Sequence, residues 1–303
     1  MTSIRADSRA GSRFGRPQTR AAWLFLIPFL VVFAAMLVIP LGYSGYLSFF
    51  ETRLIGGTVF VGFDNYLEAL TDAEFLAGLG RMVLFLVIQV PIMLGLALFF
   101  ALALDSGRVR GKRFVRLAIF IPYAVPGVIA TLMWGYFLGP RFGPLTDFTE
   151  LIGLGRVDLL ASGTILGAMM NIVSWEFIGY NMIIMYAALR TVPEELYEAA
   201  AIDGASPFRV AWSIKIPAIR PAIILTIIFS IIGTFQLFSE PQLLDRIAPA
   251  AISSSYTPNL YAYNLAFTAQ DVTYAATIAF ALGIVTMIIS YAFQLITNRG
   301  GRA

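Results

Sequence analysis

Residues 82–104 read MVLFLVIQVPIMLGLALFFALAL, without one Asp, Glu, Lys or Arg. A helix needs roughly 20 such residues to cross about 30 Å of hydrocarbon, so this stretch by itself places the chain in a bilayer. Five more stretches are long and apolar enough, near 22–42, 117–138, 165–188, 221–240 and 273–296, with Glu176 and Glu240 the acids within them. The composition agrees. With 58% apolar and only 13% charged residues among 303, the chain carries more hydrocarbon than one soluble core of that length would bury. Pro40, Pro91, Pro122 and Pro126 predict kinks or broken ends, which neighbouring helices can re-satisfy inside a bundle. The two-residue alternation of barrel strands is absent, so the expected fold is an all-α integral membrane protein with six transmembrane helices.

Lys and Arg counts give the expected orientation. Sixteen fall on one side: Arg5, Arg9, Arg13, Arg16 and Arg20 before the first span, a group from Arg108 to Arg116, Arg190 to Arg220, and Arg299 with Arg302. Five fall on the other: Arg53, Arg81, Arg141, Arg156 and Arg246. Both termini are therefore expected in the cytoplasm of a multi-pass protein. A basic amino terminus of this kind is what insertion requires, and nucleic acid is not an expected partner. The first apolar run is too long for a cleaved signal peptide and no small-residue cleavage site follows it, so the first helix is expected to stay.

Several chemistries are excluded by residue type. Without His or Cys the chain lacks the commonest general base, thiolate nucleophiles and most zinc sites. Its two lysines are Lys112 and Lys215, and neither ends a G-x-x-x-x-G-K-[ST] phosphate loop. No enzyme activity and no bound cofactor are expected of this chain. Any ATP-driven step needs a separate subunit.

A polar helical insert, residues 190–217, interrupts the apolar pattern. Thr191 and Glu194 have capping-box spacing, and Pro193 suits a first helical turn. Leu196, Ala199, Ala200 and Ala201 give a small, close-packing surface. Gly204 suits a left-handed helix terminus, Ser206-Pro207 restarts a second helix, and Pro217 closes it. An interfacial lipid-binding helix would want Lys and Arg on its polar face, whereas the first half carries Glu194, Glu195, Glu198 and Asp203. A protein partner fits better.

The spacing Glu198-Ala199-Ala200, three residues, Gly204, nine residues, Ile214-Lys215-Ile216-Pro217 resembles the EAA loop of membrane subunits of ATP-binding-cassette importers, with Ile216 where Leu is usual. Further segments resemble the maltose-type and glycerol-phosphate-type branch. They are Phe60 to Tyr66, Ile121-Pro122 through Trp134 and Phe137 to Gly143, Trp175 with Gly179 and Tyr180, Phe235 to Phe238, and Tyr261 to Phe267. The resemblance implies a type I importer membrane-domain fold, with a basic segment 1–21, the first helix and an outer segment in 22–80, a permease core 81–296 holding the coupling loop 190–217, and a tail 297–303. It implies a second permease subunit, expected to be a non-identical chain, two ATPase subunits holding ATP and Mg, an extracytoplasmic sugar-binding protein, and a bacterial or archaeal inner membrane. Glu198, Ala199, Ala200, Gly204 and Pro217 become the expected coupling residues.

The solute pathway is read mainly from the fourth span. Glu176 sits near its middle, where an acid costs roughly 2.5–3.5 kcal/mol, so it should face a cavity or a partner. At 100° per residue Trp175, Glu176, Gly179 and Tyr180 share an arc, with Asn171, Ser174 and Asn181 on the remaining face. The aromatic and acidic arc suits sugar recognition. The resemblance adds Tyr180 and Gln236 as solute contacts. Packing or interhelical hydrogen bonding is the alternative for these residues, above all for Asn171 and Asn181, while Glu240 could be gate, contact or solvated end. The expected function is sugar import. The alternatives are an ion-coupled secondary carrier, against which stand the lack of repeats and of paired intramembrane acids, and import of another solute such as glycerol phosphate, against which stands the lack of Arg or Lys within the spans.

Overall fold

The computed structural model describes residues 16–53, 55–140, 143–153 and 155–299. Arg5, Arg9, Arg13, Arg141 and Arg302, counted above, lie outside the described residues, as do residues 1–15 and 300–303 of the terminal segments. Two compact units meet in sequence between Leu47 and Ser48.

The first unit contains helix α1 (Arg16–Phe33), a π turn (Ala34–Val38) and α2 (Ile39–Leu47), which together give the apolar span Ala22–Leu47. The π turn lies just before Pro40. A proline has no amide to donate to the carbonyl four residues earlier, and the wider turn accommodates that gap.

The second unit opens with a β-hairpin, β1 (Phe50–Arg53) and β2 (Gly57–Phe60), in which Phe50 pairs with Phe60 and Arg53 with Gly57. The rings of Phe50 and Phe60 meet edge to face at 5.3 Å. The hairpin is followed by α3 (Asp64–Ala69) and by α4 (Ala73–Asp105), which starts nine residues before the apolar run does. The buried Asn65 amide donates to the carbonyls of Ser48 (3.1 Å) and Phe50 (2.8 Å), and the Thr277 hydroxyl donates to Ser48 (3.1 Å). These bonds fasten the hairpin to the last helix.

The third span departs from expectation. In place of one helix over 117–138 there are α5 (Lys112–Phe120), a 3₁₀ turn (Ile121–Ala124) and α6 (Gly127–Phe137), bent by 96° at the break. Val125 is extended, with ψ 129°, because the ring of Pro126 excludes the helical conformation from the residue before it. Among the described residues five helices are long and apolar enough to span, and six if the bent pair is one span.

After α7 (Pro144–Leu151) come the long α8 (Ile165–Leu189) and the insert, α9 (Glu195–Ile202), α10 (Pro207–Val210), a π turn (Ala211–Lys215) and α11 (Ile216–Ala218). Here too the π turn ends two residues before a proline, Pro217. Helix α12 (Arg220–Phe235) stops short of the expected 240, breaks at Gln236–Phe238 and resumes as α13 (Ser239–Asp245). Helices α14 (Pro258–Phe267) and α15 (Val272–Arg299) complete the chain. Two apolar clusters hold the second unit together. One joins Phe85, Met169, Ile172, Phe235, Leu244 and Ile278, and the other joins Leu94, Leu104, Met182, Met185, Leu189 and Ile219. Since lipid tails are as apolar as these side chains, close packing and hydrogen bonds supply the association.

Asp72 anchors the start of α4. Its carboxylate accepts from the amides of Glu74 (2.8 Å) and Phe75 (3.2 Å) and from the hydroxyls of Tyr261 and Tyr274 (2.8 Å each). Burial acts to raise its pKa, but the two hydroxyls and two amides outweigh burial and hold the carboxyl below the usual Asp value. Burial and the adjacent carboxylate push the Tyr261 hydroxyl up. Asp72→Ala should destabilise the detergent-purified protein, by about 1 kcal/mol for the cap and about 1–3 kcal/mol more for the orphaned hydroxyls, and so lower its thermal midpoint. Because the folded pKa is depressed, this stabilisation is complete above the unfolded value of about 3.9 and lost as pH falls through the folded one. The gap between wild type and variant in a pH series of melts should therefore close on the acid side.

Candidate solute cavity and coupling loop

A cavity of about 390 Å³ lies among α4, α8, α12 and the segments where helices are interrupted. Tyr123 comes from the 3₁₀ turn of the bent pair, and Gln236, Leu237 and Phe238 come from the break after α12. Helix α8 presents Val173, Phe177, Tyr180 and Asn181, a spacing of four, three and one that keeps them on one helical stripe. Tyr180 stacks on Tyr123, with centroids 4.8 Å apart and planes at 22°, and meets Phe177 edge to face at 6.4 Å. Among the described residues Glu240 is the one charged residue in the lining, and no Lys or Arg takes part in it.

The expected arc on α8 is therefore divided, and the exclusion of Asn181 from the face of Tyr180 is corrected. Tyr180 and Asn181 both line the cavity, because adjacent residues only 100° apart can flank one opening. Glu176 is 5% exposed and is not in the lining. Its carboxylate oxygen lies 3.5 Å from where a side chain on Gly127 would begin, at the start of α6. Trp175 meets Trp134 edge to face at 6.0 Å. Gly179 packs against the backbone of Ile119 and Phe120, where a Cβ would sit 2.8 Å from the Phe120 Cα. Asn181 donates to its own helix at the Phe177 carbonyl (2.9 Å) and faces the Met93 sulfur at 3.8 Å. Gln236 caps the end of α12 and lines the cavity.

Gln89, Tyr123 and Phe229 also line the cavity without having been singled out in the sequence. Gln89 is buried and donates to Ser174 at 3.2 Å and to the Met93 sulfur at 3.2 Å. Its signal was legible, a lone amide in an otherwise apolar run. Tyr123 had no such signal, since its position depends on the 96° bend.

In the coupling loop, α9 ends as expected on Gly204 in the left-handed region, φ +70°. The amides of Asp203, Gly204 and Ala205 close the terminus on the carbonyls of Ala199 (3.0 Å), Ala201 (3.1 Å) and Ala200 (2.9 Å). Ser206 caps α10 by accepting from the Arg209 amide at 3.3 Å. The Thr191–Glu194 box does not form. Thr191 donates back to Ala188 at 2.8 Å, and Glu194 itself occupies the cap position, with Pro193 outside the helix. Nor does Pro217 close the second helix. It lies inside α11, and the chain turns at Ile219 before α12.

Glu198, Ala199 and Gly204 are exposed, whereas Ala200 is buried. Around them Ile202, Phe208 and Trp212 are well exposed, and the last two rings stack with planes at 9°. These apolar residues form part of the loop's outward surface, which the sequence pattern did not mark because they are interspersed among polar residues. Beneath the loop Lys215 pairs with Asp105 at the end of α4 and lies 4.6 Å from the centre of the Tyr197 ring. Burial, and next the Asp105 charge, push the Tyr197 hydroxyl up against the opposing pull of Arg190.

Residues 93–299 match the family described as "Binding-protein-dependent transport system inner membrane component". The chain is 30% identical to the diacetylchitobiose uptake system permease protein NgcF of Streptomyces coelicolor, over 95% of this chain and 87% of that one. It is 31% identical to the lactose transport system permease protein LacF of Rhizobium radiobacter, over 89% and 91%. Its fold is similar to a chain of a bacterial alginate ABC transporter solved in complex with an alginate pentasaccharide-bound periplasmic protein, with a TM-score of 0.79, 20% identity, and coverage of 95% and 98%.

Gly179→Ala should force α8 away from the Ile119–Phe120 backbone, an overpacking cost of about 1–3 kcal/mol. The check is a lower thermal midpoint for this variant than for Gly233→Ala, where a Cβ meets nothing within 4 Å.

Proposed function

The chain belongs to the family of binding-protein-dependent transport system inner membrane components, and from that premise we propose that it forms half of the translocation pathway for an uncharged sugar. As a member of the family it is a non-catalytic, multi-pass permease subunit of an ABC importer, whose ATP is hydrolysed by partner subunits.

The observation that carries the sugar reading is the cavity. Tyr123, Phe177 and Tyr180 offer ring faces for the apolar faces of pyranoses, while Gln89, Asn181, Gln236 and Glu240 offer hydrogen bonds to hydroxyls. Among the described residues no cationic side chain lines the cavity, which disfavours a phosphorylated solute such as glycerol phosphate. The relatives named for diacetylchitobiose and lactose support the same class.

The proposed assembly adds a second permease, two ATPase subunits with ATP and Mg, and an extracytoplasmic sugar-binding protein, in an inner membrane with both termini cytoplasmic. ATP binding closes the ATPase subunits and draws residues 193–215 with them. Glu198 makes a polar contact in the ATPase groove, Ala199 allows close approach, Ala200 packs the helix onto the permease, and Gly204 sets the corner between α9 and α10. Pro217 sets the angle at which the loop returns to α12. Tyr180, Asn181 and Gln236 contact the sugar. Glu176, buried beside the cavity, holds α8 against α6.

The test is uptake of a labelled saccharide into proteoliposomes holding the full complex. Gly204→Asp and a hydrolysis-dead ATPase should each abolish uptake while the complex stays assembled. Tyr180→Ala should raise KM roughly tenfold, the equivalent of about 1.4 kcal/mol of lost stacking and burial. Uptake that continues without ATP hydrolysis and follows the proton gradient would overturn the proposal.

A further inference from the structure

The coupling loop continues directly into α8 on one side and α12 on the other, but it has no chain connection to α4. Yet α4 supplies Gln89 and Met93 to the cavity, so its movement has to be set by contacts. Asp105, the last residue of α4, pairs with Lys215 in the π turn of the loop. Their side chains are 4% and 13% exposed. The same ammonium lies over the Tyr197 ring, on the other limb of the loop. One cation thus binds both limbs of the loop and the end of α4. The ion pairs of Arg53 and Arg156 are local, whereas this one joins residues 110 positions apart.

We propose that Lys215 and Asp105 are positioning residues that carry displacement of the coupling loop into α4, with Tyr197 as the third member of the latch. The inference rests on the importer reading above. A pair this buried is little screened by salt, and separating it would leave two uncompensated charges, so loop and helix end move together. From Asp105 to Gln89 there is roughly 24 Å of helix, at 1.5 Å per residue. Loop movement therefore reaches the cavity along α4 as well as through α8 and α12, and the cavity walls shift in concert.

The test is the ratio of labelled saccharide transported to ATP hydrolysed, measured on the full complex in proteoliposomes. Lys215→Met and Asp105→Asn should each assemble and hydrolyse ATP but transport about tenfold less per ATP, within the range typical of coupling between sites. Lys215→Arg and the exchanged pair D105K/K215D should restore much of the ratio, which a merely structural role would not require. An unchanged ratio in the single variants would overturn the latch. So would a proportional fall of uptake and hydrolysis, or loss of assembly that the exchanged pair does not repair. Wild-type complex whose uptake is not tied to hydrolysis at all would instead overturn the importer reading, and the latch with it.

Discussion

A peptide group in hydrocarbon has no water to bond, and this constraint organises the molecule. Each spanning segment is helical, and at the break after α12 the freed Phe235 carbonyl accepts from the Asn259 side-chain amide at 2.8 Å. Two interruptions matter most, the 3₁₀ turn with Val125 and Pro126, and the break at Gln236–Phe238. Both contribute side chains to the same cavity. Irregular backbone inside a membrane belongs where it lines a cavity, so the helix breaks and the proposed solute site express one physical requirement.

Close approach is the second element of the design. Gly179 lets α8 lie against the backbone of the bent pair, and that contact brings Tyr123 over Tyr180. The cavity's aromatic wall is thus built from two segments held in register by the absence of a side chain. At the other end of α8 the chain enters a loop whose corner, Gly204, adopts a conformation that few side chains tolerate. From Gly179 helix α8 runs unbroken to Leu189, and a turn over 190–194 separates it from α9, which ends on Gly204.

Much of this was legible in the sequence. Long apolar runs with at most one acid each marked the spans, and spacing marked the helix–corner–helix form of the loop. Legibility failed where three-dimensional context overrode a local rule. Thr191 and Glu194 have the spacing of a capping box, but the Thr191 hydroxyl bonds back into α8. Residues 117–138 have the hydropathy of one helix, but two prolines four positions apart turn the chain through 96°. A helical wheel could place Trp175, Glu176, Gly179 and Tyr180 on one arc, but it could not say which neighbour each would meet. Three of the four meet α6 or the bent pair's backbone, and Tyr180 alone meets the cavity.

The central claim is that this cavity holds sugar during ATP-driven transport. Because the chain has no cysteine, a single Ser230→Cys substitution in the lining gives this subunit one thiol, placed at the site, and labelling is read on this subunit's band. The decisive measurement is its rate of labelling by a water-soluble maleimide in the assembled transporter, with and without saccharide and ATP. Labelling that depends on nucleotide state and is slowed by the transported saccharide is the predicted result. Labelling indifferent to saccharide in every nucleotide state would contradict the account.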